Sequence, residues 1–222
     1  MDTYYHILII EDHPTQVDAY KGIFELADEN IPFQFFEFYN LSKAANFVKQ
    51  SDDAAKIDLI VLDLNLPVDE EQQLFSGADL AELCNELMPQ AQLCFITSHH
   101  EAFVLYDLYQ AFHPAGILVK SDFTGAQLEM HFQDILNGKM TYSPTFLDAK
   151  KKIIDSEIFL ESYNRQIITY LAQGHPSKDL QELINISLSA INKRKAKLKV
   201  FFDIDKQQDN YIVLQARKRG LI

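Results

Sequence analysis

No stretch of the 222-residue chain approaches the roughly 18 consecutive apolar residues that a membrane-spanning helix needs. The opening Met1-Asp2-Thr3-Tyr4-Tyr5-His6 lacks the basic region and cleavage site of a secretory leader, so a cytoplasmic protein with no membrane partner is expected. Cysteine is nearly absent. Only Cys84 and Cys94 occur, each among apolar neighbours, and two buried core thiols are expected rather than a disulfide framework. No pair among the seven histidines has the spacing of a zinc site, and the adjacent His99 and His100 cannot both face one site from a regular strand or helix. There is no internal repeat and no low-complexity tract. Basic residues are scarce at first: residues 1–125 carry 5 against 21 acids, a balance of −16. Residues 126–222 carry 15 against 11, a balance of +4, and the whole chain stands at −12. With 47% apolar residues the chain is too hydrophobic for disorder, and the charge asymmetry points to two modules with different partners.

The first module alternates short apolar runs with helical patterns. The runs are His6–Ile10, Phe33–Phe38, Ile57–Leu62, Gln92–Ile96 and Gly116–Val119; helices are expected at 14–28, 42–50, 77–88, 100–112 and 124–137. Four of the five runs are almost continuously apolar, as strands buried on both faces are. Five strands alternating with five helices predict an α/β domain with a doubly wound, five-stranded parallel sheet. The helix at 100–112 is apolar over more than one stripe. It reads as a broadly buried helix, or as one whose Tyr106 and Tyr109 serve an interface. Residues 138–156 read as a connector. Residues 157–222 read as four helices, at 157–173, 178–184, 188–202 and 209–219, with Gly174 ending the first and Ser177 and Ser187 capping the next two.

In parallel α/β sheets, ligands bind beyond the carboxyl ends of the strands. The first strand leaves through Glu11-Asp12, the third through Asp63, the fourth through Thr97 and the fifth through Lys120. Three carboxylates, a hydroxyl and an ammonium would share one end of the sheet. Carboxylate oxygens suit Mg²⁺, and a carboxylate can accept a phosphoryl group as a covalent nucleophile. Lys120 would then pair with the phosphoryl oxygens and Thr97 would donate a hydroxyl to them.

With these residues in order, 5–137 resembles the receiver domain of two-component response regulators. The resemblance implies a flavodoxin-like fold, with Asp63 as phosphoacceptor and Thr97 and Lys120 as switch and catalytic residues. It also implies Mg²⁺ held by Glu11, Asp12, Asp63 and the backbone carbonyl of Asn65. The phosphoryl donor it implies is a phosphohistidine on a sensor histidine kinase. Two features depart from the family. Ile117 stands three positions before Lys120, where an aromatic is usual, and the loop 68–76 is longer, its acids forming either a solvated insertion or a competitor for metal.

In the second module the pattern over 178–199 is helix, turn, helix. Leu180, Leu183 and Ile184 give the first helix an apolar face, Asn185-Ile186-Ser187 makes the turn, and Ile191, Leu198 and Phe202 mark the inner face of the second. Five of residues 193–199 are basic, and the outer face offers Ser189, Asn192, Lys193, Arg194 and Lys197 to double-stranded DNA. From about 160 the chain resembles the LuxR-type domain of the NarL/FixJ subfamily, through Arg165-Gln166-Ile167-Ile168, Leu171-Ala172-Gln173-Gly174 and Ile186-Ser187-Leu188-Ser189-Ala190-Ile191. Ala190, Arg194, Asp203 and Lys195 depart from the usual residues. The resemblance implies dimerisation on DNA through the last helix.

These readings combine into a transcriptional response regulator with a receiver at 1–137, a linker at 138–156 and a DNA-binding domain at 157–222, dimeric when active. No turnover of an external substrate is expected beyond self-phosphorylation and autodephosphorylation at Asp63. Two alternatives stay open: a phosphorylation-independent dimerising transcription factor with a degenerate receiver, and a small phosphatase or phosphotransferase using Asp63.

Overall fold

The computed structural model describes residues 4–67, 76–154, 161–204, 206 and 208–222. The acidic stretch 68–75, with the readings attached to it, lies outside them, as does 155–160 in the expected linker and the start of the helix that follows. The chain divides into two compact units, 1–99 with 108–146, and 100–107 with 147–222.

The first unit is a parallel sheet in the order β2-β1-β3-β4-β5-β6. Its strands are β1 (Tyr5–Ile10), β2 (Phe33–Phe38), β3 (Leu59–Leu62), β4 (Gln92–Thr97), β5 (Gly116–Val119) and β6 (Thr141–Tyr142). The helices are α1 (Pro14–Ala27), α2 (Leu41–Gln50), α3 (Gly77–Leu87), α4 (Ala102–Phe112), α5 (Gly125–Leu136) and α6 (Pro144–Ile154). Residues of β3 and β5 are buried throughout, as their unbroken apolar sequence requires of strands covered on both faces. On one face Val17, Tyr20 and Phe24 of α1 and Leu128, Phe132 and Ile135 of α5 pack on Ile7, Ile9, Val61, Cys94, Ile96 and Leu118. The rings of Phe24 and Phe132 stack at 3.7 Å between centroids. Both are fully buried, and each such side chain contributes about 1.5–3 kcal/mol of apolar burial. Cys84 and Cys94 are free and buried, and burial pushes each thiol up to about 12.

Among the described residues the sheet has six strands, not five. The expected linker at 138–156 contains β6, which pairs parallel to β5 with Gly116 opposite Thr141 and Ile117 opposite Tyr142. It also contains α6. Two residues of strand are too few to show alternation, and their pairing partner is about two dozen residues away, so no local pattern marks them. The boundary between the units falls inside both α4 and α6. In α4, Ala102, Phe103, Leu105, Tyr106 and Leu108 are buried, which is the broadly buried helix that its sequence suggests.

The second unit holds α7 (Ser162–Ala172), α8 (Leu180–Ile184), α9 (Leu188–Phe201) and α10 (Asn210–Lys218). Ile167, Ile168, Leu180, Ile184, Ile191, Leu198, Phe202 and Ile212 are buried in it. Gly174 takes a φ of +92° at the end of α7, where a side chain would be strained. Asn185 ends α8 in the left-handed region at φ 55°, and the Ser187 side chain accepts the Ala190 N–H to cap α9. Ser177 does not cap α8, which begins only at Leu180. Its hydroxyl donates instead to Asp209, 2.8 Å away. Arg165, 4% exposed, donates to the Asp107 carboxylate and lies over the Tyr106 ring, all within this unit.

Candidate functional site

The strand order reverses at β1, and its neighbour β3 runs in register with it, Ile10 beside Leu62. The residues that follow, Glu11 and Asp63, therefore emerge side by side, and Asp63 N–H donates to the Ile10 carbonyl at 3.0 Å. This is the switch point where a doubly wound sheet opens a crevice at its carboxyl end. On the far side β4 and β5 end in register at Thr97 and Val119, which places Lys120 at the same level.

Tertiary contact brings three of the expected residues, Glu11, Asp63 and Lys120, together. The Lys120 ammonium donates to Glu11 Oε2 and to Asp63 Oδ2, each at 2.8 Å. Both acids are buried, Glu11 at 1% exposure and Asp63 at 4%. Burial raises the Glu11 carboxyl above its usual value, against the opposing hydrogen bond from Lys120. Burial works against the Lys120 charge too, but the hydrogen bonds to Asp63 and Glu11 outweigh it and hold the ammonium above its usual value. The neighbour His13 joins the cluster with Nδ1 3.0 Å from Glu11 Oε1, and that hydrogen bond, with the Asp12 charge, raises the imidazole. Thr97 is fully buried, and its hydroxyl oxygen accepts the His99 N–H at 3.1 Å. Asn65 is drawn in through its N–H, which donates to Asp63 Oδ1 at 2.9 Å.

The Asp63–Leu64 backbone is also packed closely by the start of α3. Ser76 and Asp79 form a reciprocal capping box at the start of α3. A Cβ on Gly77 would stand 2.4 Å from the Asp63 carbonyl oxygen, so only glycine lets α3 begin this close to Asp63.

The donor set fits a hard divalent cation. Carboxylate oxygens of Glu11 and Asp12 and a ring nitrogen of His13 lie within 4.8 Å of one another. Asp12 Oδ1 is sealed from solvent, and His13 Nδ1 lies 2.8 Å from it. A carboxylate oxygen shut off from water needs a cation or donor to meet it, a role open to the His13 imidazole or to a bound divalent cation.

In the second unit, Ser189, Asn192, Lys193 and Lys197 are exposed on α9, together with Ala196 and Val200. At 100° per residue these positions share one face. Arg194 does not join them. It donates to Glu161 and to Asn164, the latter at 3.2 Å, and lies over the Tyr163 ring. Its hydrogen bond holds Glu161 below its usual carboxylate value. Lys195 turns inward and donates to Ser177 Oγ and Asp209 Oδ2, each at 2.7 Å, and Lys199 lies 3.0 Å from Asp209 Oδ1. Burial would raise the Asp209 carboxyl, but hydrogen bonds from Lys195, Ser177 and Lys199 hold it low. Three of the five basic residues of the 193–199 run are thus engaged inside the unit. No described helix is long and apolar enough to cross a membrane.

Against known proteins, residues 7–124 match the response regulator receiver domain family. No curated protein matches the chain by sequence. Among solved structures, RcsB dimers bound to two parallel DNAs align over 96% of this chain and 98% of theirs, with a TM-score of 0.63 and 15% identity. RcsB from Salmonella enterica serovar Typhimurium, bound to a promoter in the presence of phosphomimetic BeF3⁻, aligns over 95% of this chain and 97% of its own, at 0.64 and 16%. The RcsB response regulator of Salmonella typhimurium aligns over 96% and 99%, at 0.59 and 15%. At such identity the likeness is one of fold, spanning both units of the chain. The family match covers more than half of the chain and falls on the sheet whose ends carry Glu11, Asp63, Thr97 and Lys120, so the chain belongs to the response regulator receiver family.

Proposed function

We propose that this response regulator is phosphorylated on Asp63 by a sensor histidine kinase and acts on transcription by binding double-stranded DNA through α9. The observation that carries the first part is the Lys120 ammonium, shared at 2.8 Å between two buried carboxylates at the sheet's carboxyl end. An oxygen of Asp63 attacks the phosphorus of a phosphohistidine. The new O–P bond forms as the P–N bond breaks, and the departing imidazole keeps the electron pair and takes up a proton. Lys120 pairs with the phosphoryl oxygens and the Thr97 hydroxyl donates to them, after exchanging its present neighbours. Glu11, Asp12, Asp63 and the Asn65 carbonyl are the residues to hold Mg²⁺, which supplies positive charge against the phosphoryl oxygens. Hydrolysis of the acyl phosphate returns the starting state; the chain turns over no other substrate.

The DNA-binding part is supported by the fold shared with RcsB, whose structures include DNA complexes, and by the exposed face of α9. Lys193 and Lys197 supply phosphate contacts, and Ser189 and Asn192 face the base edges near the helix N-terminus. The active form is a homodimer. Arg194 supports α9 from behind.

Intact mass and size exclusion after incubation with Mg²⁺ and acetyl phosphate test this reading on the wild type and on Asp63→Asn. A single phosphoryl adduct in the wild type alone, with a shift in assembly, is expected. An unmodified protein that already binds DNA as a dimer would replace it with a constitutive dimerising factor, a reading to which the aliphatic Ile117 belongs.

A further inference from the structure

Lys120 opens a short 3-10 turn, Lys120–Asp122, and residues outside the family match grip that turn on both sides. On one side the Val119 N–H donates to Ser143 Oγ at 3.0 Å. On the other, the Asp122 carboxylate accepts the Thr145 N–H at 2.8 Å and the Thr145 hydroxyl at 2.7 Å. Ser143 is fully buried, and its own N–H donates to the Ile117 carbonyl at 3.1 Å. All of these groups belong to the first unit.

Thr145 is the second residue of α6. Its N–H is one of those a helix leaves unsatisfied at its start, and a carboxylate there also meets the positive end of the helix dipole. Asp122 therefore caps α6 from outside, two residues from Lys120. An aromatic group closes the arrangement: Tyr142, in register with Ile117, packs on Phe146 with ring centroids 4.8 Å apart, and Tyr109 lies 5.5 Å from the same ring. The remaining turns of α6, from Leu147, belong to the second unit.

We propose that Ser143 and Thr145 are positioning residues for Lys120, and that the β6–α6 strap carries the charge state of Asp63 into the second unit. The proposal rests on Asp63 being the phosphoacceptor. Phosphorylation replaces the single carboxylate charge beside the ammonium with nearly two negative charges on the phosphoryl oxygens. Lys120 leaves Glu11 for the phosphoryl oxygens, and the turn that carries it shifts with it. The Asp122–Thr145 bonds are short and directional, so a small shift of the turn loosens the cap of α6. A covalently continuous helix then passes the change onward, with no need of an aromatic residue at position 117.

The test is amide hydrogen exchange by mass spectrometry on the full chain with Mg²⁺, with and without beryllofluoride, an acyl phosphate mimic. Fluorine NMR reports whether the mimic is bound. With the mimic bound, exchange over residues 141–147 is expected to speed up at least about twofold in the wild type and to stay unchanged in Asp63→Asn. Thr145→Val, which keeps the side chain's shape and loses its hydroxyl, removes the response. Thr145→Ser restores it, which a merely structural role would not require. Ser143→Ala, if it folds by circular dichroism, also removes the response. Bound mimic with unchanged exchange over 141–147, or a full response in Thr145→Val, overturns the strap and leaves the phosphoacceptor reading standing. No bound mimic in the wild type overturns both.

Discussion

Replacing Lys120 with Met takes away an ammonium that serves two carboxylates at once. The Glu11 and Asp63 side chains it leaves are 1% and 3% exposed, so water cannot take its place. Removing one partner of a buried pair costs about 3–5 kcal/mol, because an uncompensated charge stays behind. Lys120 itself is 19% exposed, which allows some screening and favours the lower figure. Lys21 gives a control of the same chemistry. It pairs with Glu37 at 2.6 Å, but both side chains are open to water, 30% and 25% exposed, and Lys21→Met should cost less than about 1 kcal/mol. The assay is urea unfolding followed by far-ultraviolet circular dichroism, in chelator, near neutral pH. Acid sharpens the test. Burial already raises Glu11, and losing Lys120 raises it further. An acid raised in the folded state contributes stability that is full below its unfolded value, near pH 4, and lost as the pH climbs through the folded value. The Lys120→Met deficit is therefore largest near neutral pH and shrinks in acid, as Glu11 takes up a proton. Mg²⁺, by binding the folded acids, should restore part of it. A deficit no larger than that of Lys21→Met, or one insensitive to acid, would refute the reasoning.

Three further outcomes are expected. Gly77→Ala drives a Cβ against backbone, 2.4 Å from the Asp63 carbonyl and 2.8 Å from Leu64 Cα, and should cost about 1–3 kcal/mol in urea unfolding while slowing acetyl phosphate labelling of Asp63. Asp209→Asn removes a carboxylate held below its usual value; such a group stabilises above its unfolded value, near pH 4, and loses that contribution as the pH falls through the lower folded value. The variant should be about 1–3 kcal/mol less stable at neutral pH and show a flatter loss of stability in acid. On DNA, Lys193→Ala and Lys197→Ala should each lower the slope of log affinity against log salt by about 1. Lys195→Ala, whose ammonium is turned to Asp209, should leave that slope alone, and equal slopes for all three would remove the assignment of the exposed face.

What the sequence by itself determined follows from local period and from where the period stops. Unbroken apolar runs marked strands covered on both faces, and the residues just past them, Glu11, Asp63, Thr97 and Lys120, were legible because a parallel sheet gathers its strand ends. The turn at Asn185 and the cap at Ser187 were equally plain, since turn and cap chemistry depends on a few adjacent residues. Tertiary structure decided the rest. A helix-turn-helix pattern does not say how far its second helix is rotated; in the fold, Arg194 donates to Glu161 and Asn164. Lys195, which departs from the family's usual residue, finds its partner in Asp209, fourteen positions on. The two-residue strand β6 has no period to detect, and its hold on the Lys120 turn depends on residues more than twenty positions away. Lys120 itself meets Glu11 across 109 residues of chain, a pairing that the folded sheet makes and that local pattern does not encode.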